Sequence, residues 1–350
     1  MWHAARPGGS REHKLAAAVR MLVFNACDRR SLPGKGLLTV MLLLPLPAAL
    51  AADGTWSSSA TNGDWDTATN WLPAGAPGSP GDTASFGSSA ITGISLATTT
   101  ELDSLIFNAG ADAFTIRRAE GYSLIFSGAG VINNSAVTQR FIVSPMAISS
   151  GFSALDFTGS ATAGSNTEYR VEGTSSGTLF GSLRFYDRST AGSGTFTAAG
   201  GAAGGGQITF YNSATAGAGN FSIEGANLLA GGAVTFYDRA TAGNSTFRLW
   251  GSNVSDPTDT GGQALFVGAS SAGNSSLYAY GGMGANRLSG SIILLDNATA
   301  GDATLYALGG SLGGFGGFIA FSDNASAGNA TLITAPLPFF LDPGRISFAS

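Results

Sequence analysis

The sequence predicts an all-β solenoid, a parallel β-helix with about one coil per repeat of 25–30 residues. Three observations lead to this prediction. A block of sequence recurs through the second half of the 350-residue chain, and apolar residues alternate within each block as they do in strands. Asn, Asp, Ser, Thr and Gly separate the alternating stretches, which is typical of turns. Repeats of this length are typical of arrays that bury their core between neighbouring units.

The repeat is anchored on an Ala-Gly dipeptide that Thr or Ser always precedes. Successive anchor glycines are separated by 28, 25, 26, 30, 28 and 27 residues, and we interpret them as turn glycines. These glycines are Gly164, Gly192, Gly217, Gly243, Gly273, Gly301 and Gly328. The range 151–350 therefore holds seven units, and its last residues, GRISFAS, resemble the first strand of an eighth.

A large apolar residue stands seven positions before each anchor glycine. With the apolar residue two positions earlier, it defines one strand, and a second strand follows the glycine. Stacking the units as coils would place these residues over one another as a structural ladder. Its members are Phe157, Phe185, Phe210, Phe236, Phe266, Leu294 and Phe321.

The first 51 residues have the pattern of a secretory signal peptide with a long basic start. A basic stretch precedes the apolar run GLLTVMLLLPLPAALA, which ends in small residues suited to cleavage before Ala52. Translation from Met21 and retention of the segment as an N-terminal anchor are the alternatives.

Removal of residues 1–51 would change the chemistry that the chain can perform. The segment holds both histidines, both lysines, the single cysteine, seven of the 17 basic and two of the 22 acidic residues. Ten arginines would remain against 20 acidic residues, an excess of negative charge that disfavours nucleic acid as a partner. Without His, Cys or Lys the chain lacks the usual nucleophile–base pairs and most zinc ligands. We therefore expect no catalytic residue, no cofactor and no metal site.

Residues 52–150 depart from the repeat and predict an N-terminal cap with irregular first coils. Trp56, Trp65 and Trp71 lie close together, and two SLIF segments, 104–107 and 123–126, predict strands. A solenoid needs a cap because its terminal coil would expose unpaired edges and core side chains. We interpret the tryptophans as this cap; stacking on sugars is the alternative.

Three groups of residues together carry a family resemblance. The segments are W…GDWDTATNW…P…GDTASF, GAGVINNS…QRF and the IxFxDxATAGNATF units. In them, residues 53–350 closely resemble the autotransporter-associated β-strand repeat proteins, which are passenger regions of bacterial autotransporters and related secreted proteins. The resemblance implies a right-handed parallel β-helix exposed at the bacterial cell surface. It also implies that this chain is the N-terminal part of a longer protein, with membrane attachment only through a missing C-terminal anchor or barrel.

Several repeat-linked polar and aromatic positions have a structural and a functional interpretation. Asp187, Asp238, Asp296 and Asp323, with Asn212 in the same column, are interpreted as turn residues, and a Ca²⁺ ladder is the alternative. Tyr186, Tyr211 and Tyr237 are expected to face outward as a stripe, and this stripe is a possible binding face. The insertion at 251–263, with Asp256 and Asp259, is interpreted as a long loop. Sequons at Asn244, Asn274, Asn297 and Asn329 are interpreted as by-products of composition.

The expected function is therefore a non-catalytic, secreted, β-helical stalk with an adhesive or structural role at the bacterial surface. Its expected partner is an extracellular glycan or surface protein, with no nucleic acid. A self-associating surface layer is not distinguished from this by the residues. A β-helical polysaccharide-active enzyme, using two carboxylates, is the alternative from another class.

Overall fold

The computed structural model describes residues 52–119, 121–145, 154–175, 180–254, 259–335 and 342–349, so the predicted signal peptide lies outside the described residues. Within them the regular structure is extended, apart from one 3-10 helix at Ala68–Asn70. The strands form two sheets, which have 13 and ten members. The predicted all-β class is confirmed.

Sheet 1 contains the strands on one side of each coil. They are β1 (Gly54–Trp56), β2 (Trp71–Leu72), β3 (Thr83–Phe86), β5 (Thr100–Phe107), β7 (Leu124–Asn133), β9 (Leu155–Phe157), β11 (Ser182–Phe185), β13 (Gln207–Phe210), β15 (Ala233–Phe236), β17 (Gln263–Phe266), β19 (Ser291–Leu294), β21 (Phe318–Phe321) and β23 (Arg345–Phe348).

Sheet 2 contains the strands that follow on the other side of each coil. They are β4 (Gly93–Leu96), β6 (Thr115–Arg118), β8 (Gln139–Val143), β10 (Thr167–Val171), β12 (Thr195–Ala198), β14 (Asn220–Ile223), β16 (Thr246–Leu249), β18 (Ser276–Ala279), β20 (Thr304–Leu308) and β22 (Thr331–Ala335).

Strands pair in parallel with the strand two places later in the chain, so each coil contributes one strand to each sheet. The result is a β-solenoid of about ten turns of roughly 27 residues. Among the described strands, β1 and β2 pair antiparallel at the end of sheet 1. The predicted parallel β-helix with one coil per repeat is confirmed.

A third line of contacts closes each coil at the Ala-Gly corner. Single-residue parallel bridges join Thr162 to Thr190, Thr190 to Thr215, and so on along the column to Ser326. The hydroxyl of the bridging Thr or Ser accepts a hydrogen bond from the anchor glycine two residues later, as from Gly217 to Thr215 at 3.0 Å. The glycine has φ near +60°, for example +65° at Gly217, a conformation that disfavours side chains. This geometry explains why the T-A-G triplet recurs.

Two ladders of large side chains fill the core and face each other across the coils. From Phe157 to Phe247 both ladders consist of aromatic rings, and leucines continue the sheet 2 ladder after Phe247. In sheet 1, rings on successive coils from Phe157 to Phe266 stack with centroids 4.6–5.0 Å apart. In sheet 2, Phe196 and Phe221 stack at 4.6 Å. The two ladders meet edge to face, as between Phe210 and Phe221 at 71°. This is the favoured arrangement for aromatic pairs, so the ladders hold the sheets together as well as the coils.

The first unit of the repeat is one residue longer after its glycine, and the structure absorbs this locally. Tyr169 lies five rather than four positions after Gly164, yet it registers directly with Phe141 and Phe196. Asn166, between them in the chain, has φ of +52°. The extra residue is therefore accommodated in the turn and not in the strand.

One buried position in the repeat carries an unsatisfied hydroxyl group. The residue before the bridging Thr or Ser is a fully buried Ala on several coils, including Ala161 and Ala214, but it is a fully buried Ser at Ser189 and Ser270, and the Ser270 hydroxyl is also without a partner among the described residues. Within the described part of the chain, Ser189 Oγ has no hydrogen-bond partner. A buried polar atom without a partner costs about 1–3 kcal/mol.

We therefore expect Ser189→Ala to stabilise the protein by about 1–2 kcal/mol in urea denaturation followed by circular dichroism. Ser275→Ala is the matched control, because buried Ser275 Oγ donates to the Ala272 carbonyl at 2.6 Å. The control should lose about 1 kcal/mol. A Ser189→Ala protein less stable than the wild type would contradict the assignment of an unsatisfied hydroxyl.

The N-terminal coils use the same two sheets with a shift in register. The two SLIF segments fall in β5 and β7 but are not paired with each other. The first half of β5 pairs with the SLIF part of β7, whereas Ser104–Phe107 pairs with 130–133 after a register shift between Leu102 and Ser104. As a result, the Phe86–Phe107 stack and the Phe126–Phe157 stack belong to different columns.

Candidate functional site

The tryptophan cluster lies at the N-terminal end of the core and is inaccessible to ligands. Trp56, Trp65 and Trp71 are 0–2% exposed, and their rings pack edge to face, with Trp65 and Trp71 4.6 Å apart. Each indole nitrogen donates to a carbonyl, for instance Trp71 Nε1 to Trp65 O at 2.7 Å. All three rings also pack against Phe86, which stacks on Phe107 of the next coil. The cluster thus covers the end of the core, and its buried rings cannot stack on sugars.

The predicted aspartate column forms a ladder of backbone contacts along the turn. Its members share φ of +56° to +59°, and Gly159 and Gly268 occupy the corresponding position where no Asp or Asn is present. Each side chain accepts a hydrogen bond from a backbone N–H of the preceding coil, as Asp238 Oδ2 does from Asn212 at 2.8 Å. The other four such bonds measure 3.0–3.3 Å. Asp and Asn tolerate positive φ better than most residues, so this geometry suits a turn position.

We expect calcium to leave the melting temperature of this protein unchanged within error. Calcium needs six to eight oxygen ligands, whereas the column offers one side chain per coil, each bonded to backbone. In the described ranges, no three His, Cys, Asp or Glu residues group as metal ligands would. Thermal unfolding with calcium and with EDTA checks this expectation. Asn212→Asp, which places carboxylates on three successive coils, is the variant in which a calcium effect should appear first. Calcium-dependent stabilisation of the wild type, lost in EDTA, would instead support the alternative in which the aspartate column binds Ca²⁺ ions.

The tyrosine stripe on sheet 1 is present, half-buried and narrow. Tyr186, Tyr211 and Tyr237 stack with centroids 4.9 and 5.3 Å apart. The Arg184 guanidinium lies 5.6 Å from the Tyr186 ring centre and forms a bidentate ion pair with Asp156. Burial, and then the neighbouring Tyr237, raise the pKa of Tyr211. Both faces of Tyr211 are therefore covered by its neighbours.

A second external aromatic cluster lies on sheet 2. Trp250 and Tyr280, on adjacent coils, stack at 4.3 Å and 11°, and Tyr278 and Tyr306 stack at 4.4 Å and 5°. The two stacks are neighbours, because Tyr278 and Tyr280 are 6.3 Å apart. Of the four tryptophans in the described part of the chain, Trp250 alone is exposed, at 38%. Sequence reasoning missed this cluster, although Tyr278 alternates with inward-facing neighbours in β18 and the period-2 pattern would have placed it outside.

A groove of about 470 Å³ runs beside the Trp250–Tyr280 stack. Glycines form its floor, because the column after β14, β16, β18 and β20 is Gly225, Gly251, Gly281 and Gly309. A Cβ at Gly251 would lie only 2.7 Å from the Gly281 carbonyl oxygen, so the column has no room for side chains. The rings therefore stand above a bare backbone floor, and this concave space is called the glycine-floored groove below.

The polar side chains of the groove are few and carry little net charge. Glu224 lies one coil before Trp250 and is paired with Arg170 at 3.2 Å. Asn253 contributes an amide, which donates one long hydrogen bond of 3.4 Å to Asn227. Exposed Met283 is also part of the lining. The groove thus combines flat aromatic surface with a carboxylate and an amide, a composition typical of small-molecule sites.

The insertion at 251–263 contributes Gly251, Ser252 and Asn253 to the groove, but neither of its acidic residues lies in the described lining. Asp256 lies outside the described residues, and Asp259 is 1% exposed with no hydrogen-bond partner for either carboxylate oxygen in the described ranges. The two acids of the insertion are therefore not shown to form a paired site.

Comparison with known proteins gives no further assignment. No family model matches the sequence, and neither a curated protein nor a solved structure matches it. The described part of the chain also contains no helix with the length and hydropathy that a bilayer crossing requires.

Proposed function

We propose that this chain is a non-catalytic β-helical stalk of a secreted bacterial surface protein, with an adhesive or structural role. The observation that supports this most is the unbroken register of the coils. From β9 to β23 every sheet 1 strand pairs in parallel with the next, and the core ladder passes through all of them. Such a solenoid keeps whatever is attached at its two ends apart, and it presents the same kind of surface on successive coils. The resemblance to autotransporter-associated β-strand repeat proteins and the signal-peptide pattern support export.

The alternative, a polysaccharide-active enzyme, has less support. Glycoside hydrolysis usually uses two carboxylates flanking the bond, whereas the lining of the glycine-floored groove contains one, Glu224, already paired with Arg170. The column aspartates bond to backbone groups at the turn. Their arrangement therefore suits structure more than acid–base chemistry.

Export and absence of catalysis are tested by two measurements on the full-length chain. Expression in a bacterial host should yield a processed protein whose N-terminus, read by mass spectrometry, is Ala52, and which is recovered in the periplasmic fraction or the culture medium. Incubation of the purified protein with neutral and anionic polysaccharides should release no reducing ends. Retention of the N-terminus in a cytoplasmic fraction would refute export, and release of oligosaccharides would establish the enzyme.

A further inference from the structure

We propose that the glycine-floored groove binds a neutral oligosaccharide chain. The first reason is the exposed aromatic surface. Trp250 and Tyr280 each cover one face of the other, and Trp250 remains 38% exposed beside the groove. Sugar rings have an apolar C–H face that packs against an aromatic ring, and Trp and Tyr are suited to such half-wet contacts. The other tryptophans of the described chain are buried, so the exposure of Trp250 is specific to this place.

The second reason is the shape of the groove. Side chains are excluded from its floor by the close approach of successive coils at Gly225, Gly251 and Gly281. A volume of about 470 Å³ accommodates a few sugar residues lying along the solenoid, beside the ring stack. The indole of Trp250 is held by its Nε1 hydrogen bond to Ser222 Oγ at 2.9 Å, so the wall is partly preorganised.

The third reason is the polarity of the lining, which selects the class of sugar. Glu224 accepts and Asn253 both donates and accepts hydrogen bonds, as the hydroxyl groups of a sugar require. No cationic side chain lies in the described lining, and Arg170, the partner of Glu224, is outside it. An anionic glycan would therefore find no cationic partner in this lining, which favours a neutral chain.

This inference rests on the proposed extracellular role for its setting, since it names the ligand class of an adhesive surface. Its physical basis is independent, because the groove is a property of the folded chain. The two ideas are therefore tested separately: export and absence of cleavage by the measurements above, and sugar recognition by binding to the purified protein.

The experiment measures binding of neutral β-linked hexasaccharides, namely cellohexaose, laminarihexaose and chitohexaose, to the full-length protein by calorimetry and tryptophan fluorescence. We expect at least one to bind, to shift the emission of Trp250 to the blue and to protect it from acrylamide. Difference spectra against Trp250→Phe isolate the signal of this residue. A hexamer of galacturonic acid, which is anionic, should bind at least about tenfold more weakly.

Variants locate the site. Trp250→Ala and Tyr280→Ala should each weaken hexasaccharide binding at least about tenfold, whereas Trp250→Phe, which keeps a ring in the stack, should lose less. Tyr211→Ala is the matched control, because it removes a ring from the other external stack and should leave affinity within about twofold. Circular dichroism of each variant shows that it is folded.

The proposal is overturned if no neutral hexasaccharide binds the folded wild type, or if Tyr211→Ala weakens binding as much as Trp250→Ala. Binding of a peptide library that sugars do not displace, with the same dependence on Trp250, would assign the groove to a protein partner instead. Tighter binding of the galacturonic acid hexamer would overturn the neutral class.

Discussion

Trp71→Ala should destabilise the protein by about 3–5 kcal/mol, as for other large aromatic residues removed from a core. Trp71 is fully buried and packs against Trp56, Trp65 and Phe86 with centroids 4.6–5.7 Å away. The substitution also leaves the Trp65 carbonyl without the indole donor that it has at 2.7 Å. Stability in a stacked array is transmitted through neighbouring coils, so loss at the cap should also loosen the first coils.

Urea denaturation gives the free energy of unfolding, and light scattering detects association through the uncovered end of the core. Trp250→Ala is the control, because it is the same substitution at an exposed position and should cost about 1 kcal/mol or less. Equal losses in the two variants would show that the cluster does not act as the cap.

Phe210→Ala should also cost about 3–5 kcal/mol, for a different reason. Its ring is stacked on both sides, 4.6 Å from Phe185 and 4.8 Å from Phe236, and it meets Phe221 edge to face. The cavity would open in the middle of the ladder, where coils above and below are held by their own backbone pairing. The structure therefore has little freedom to collapse around it.

The repeat itself supplies the control for this prediction. Leu294 occupies the same ladder position between Phe266 and Phe321, so the column accepts a leucine. Phe210→Leu should cost about 1 kcal/mol, because most of the volume is retained. Urea denaturation of both variants checks the ranking. A loss from Phe210→Leu as large as that from Phe210→Ala would show that ring stacking, and not volume, dominates.

The repeat was predictable because the spacing between the apolar residues of the first strand and the anchor glycine that follows them is constant. A Phe or Leu seven residues before each anchor leaves one way to stack coils, and sheet 1 adopts it from Phe157 to Phe321. The side after the glycine was less regular, and Tyr169 was placed in register only by a turn residue at positive φ. Such a local adjustment leaves no pattern in the sequence.

The N-terminal coils and the groove were not predictable for related reasons. The two SLIF segments predicted strands but not their pairing, which follows the register shift between Leu102 and Ser104 and depends on neighbouring coils. The sequence drew attention to three tryptophans that are buried, whereas the exposed one is Trp250, next to the insertion. Whether its ring meets Tyr280 depends on how 30 residues between two anchors are folded, and spacing alone does not determine this.

The parallel pairing of the coils has a mechanical consequence. The strands run across the solenoid, so the hydrogen bonds between coils run along its axis. Tension applied to the two ends would load the hydrogen bonds of one terminal coil at a time, so coils would detach one after another from the ends. Each detached coil of roughly 27 residues would release about 90 Å of extended chain. The solenoid would therefore lengthen in steps under load, and it would dissipate work at each step while the remaining coils stayed folded.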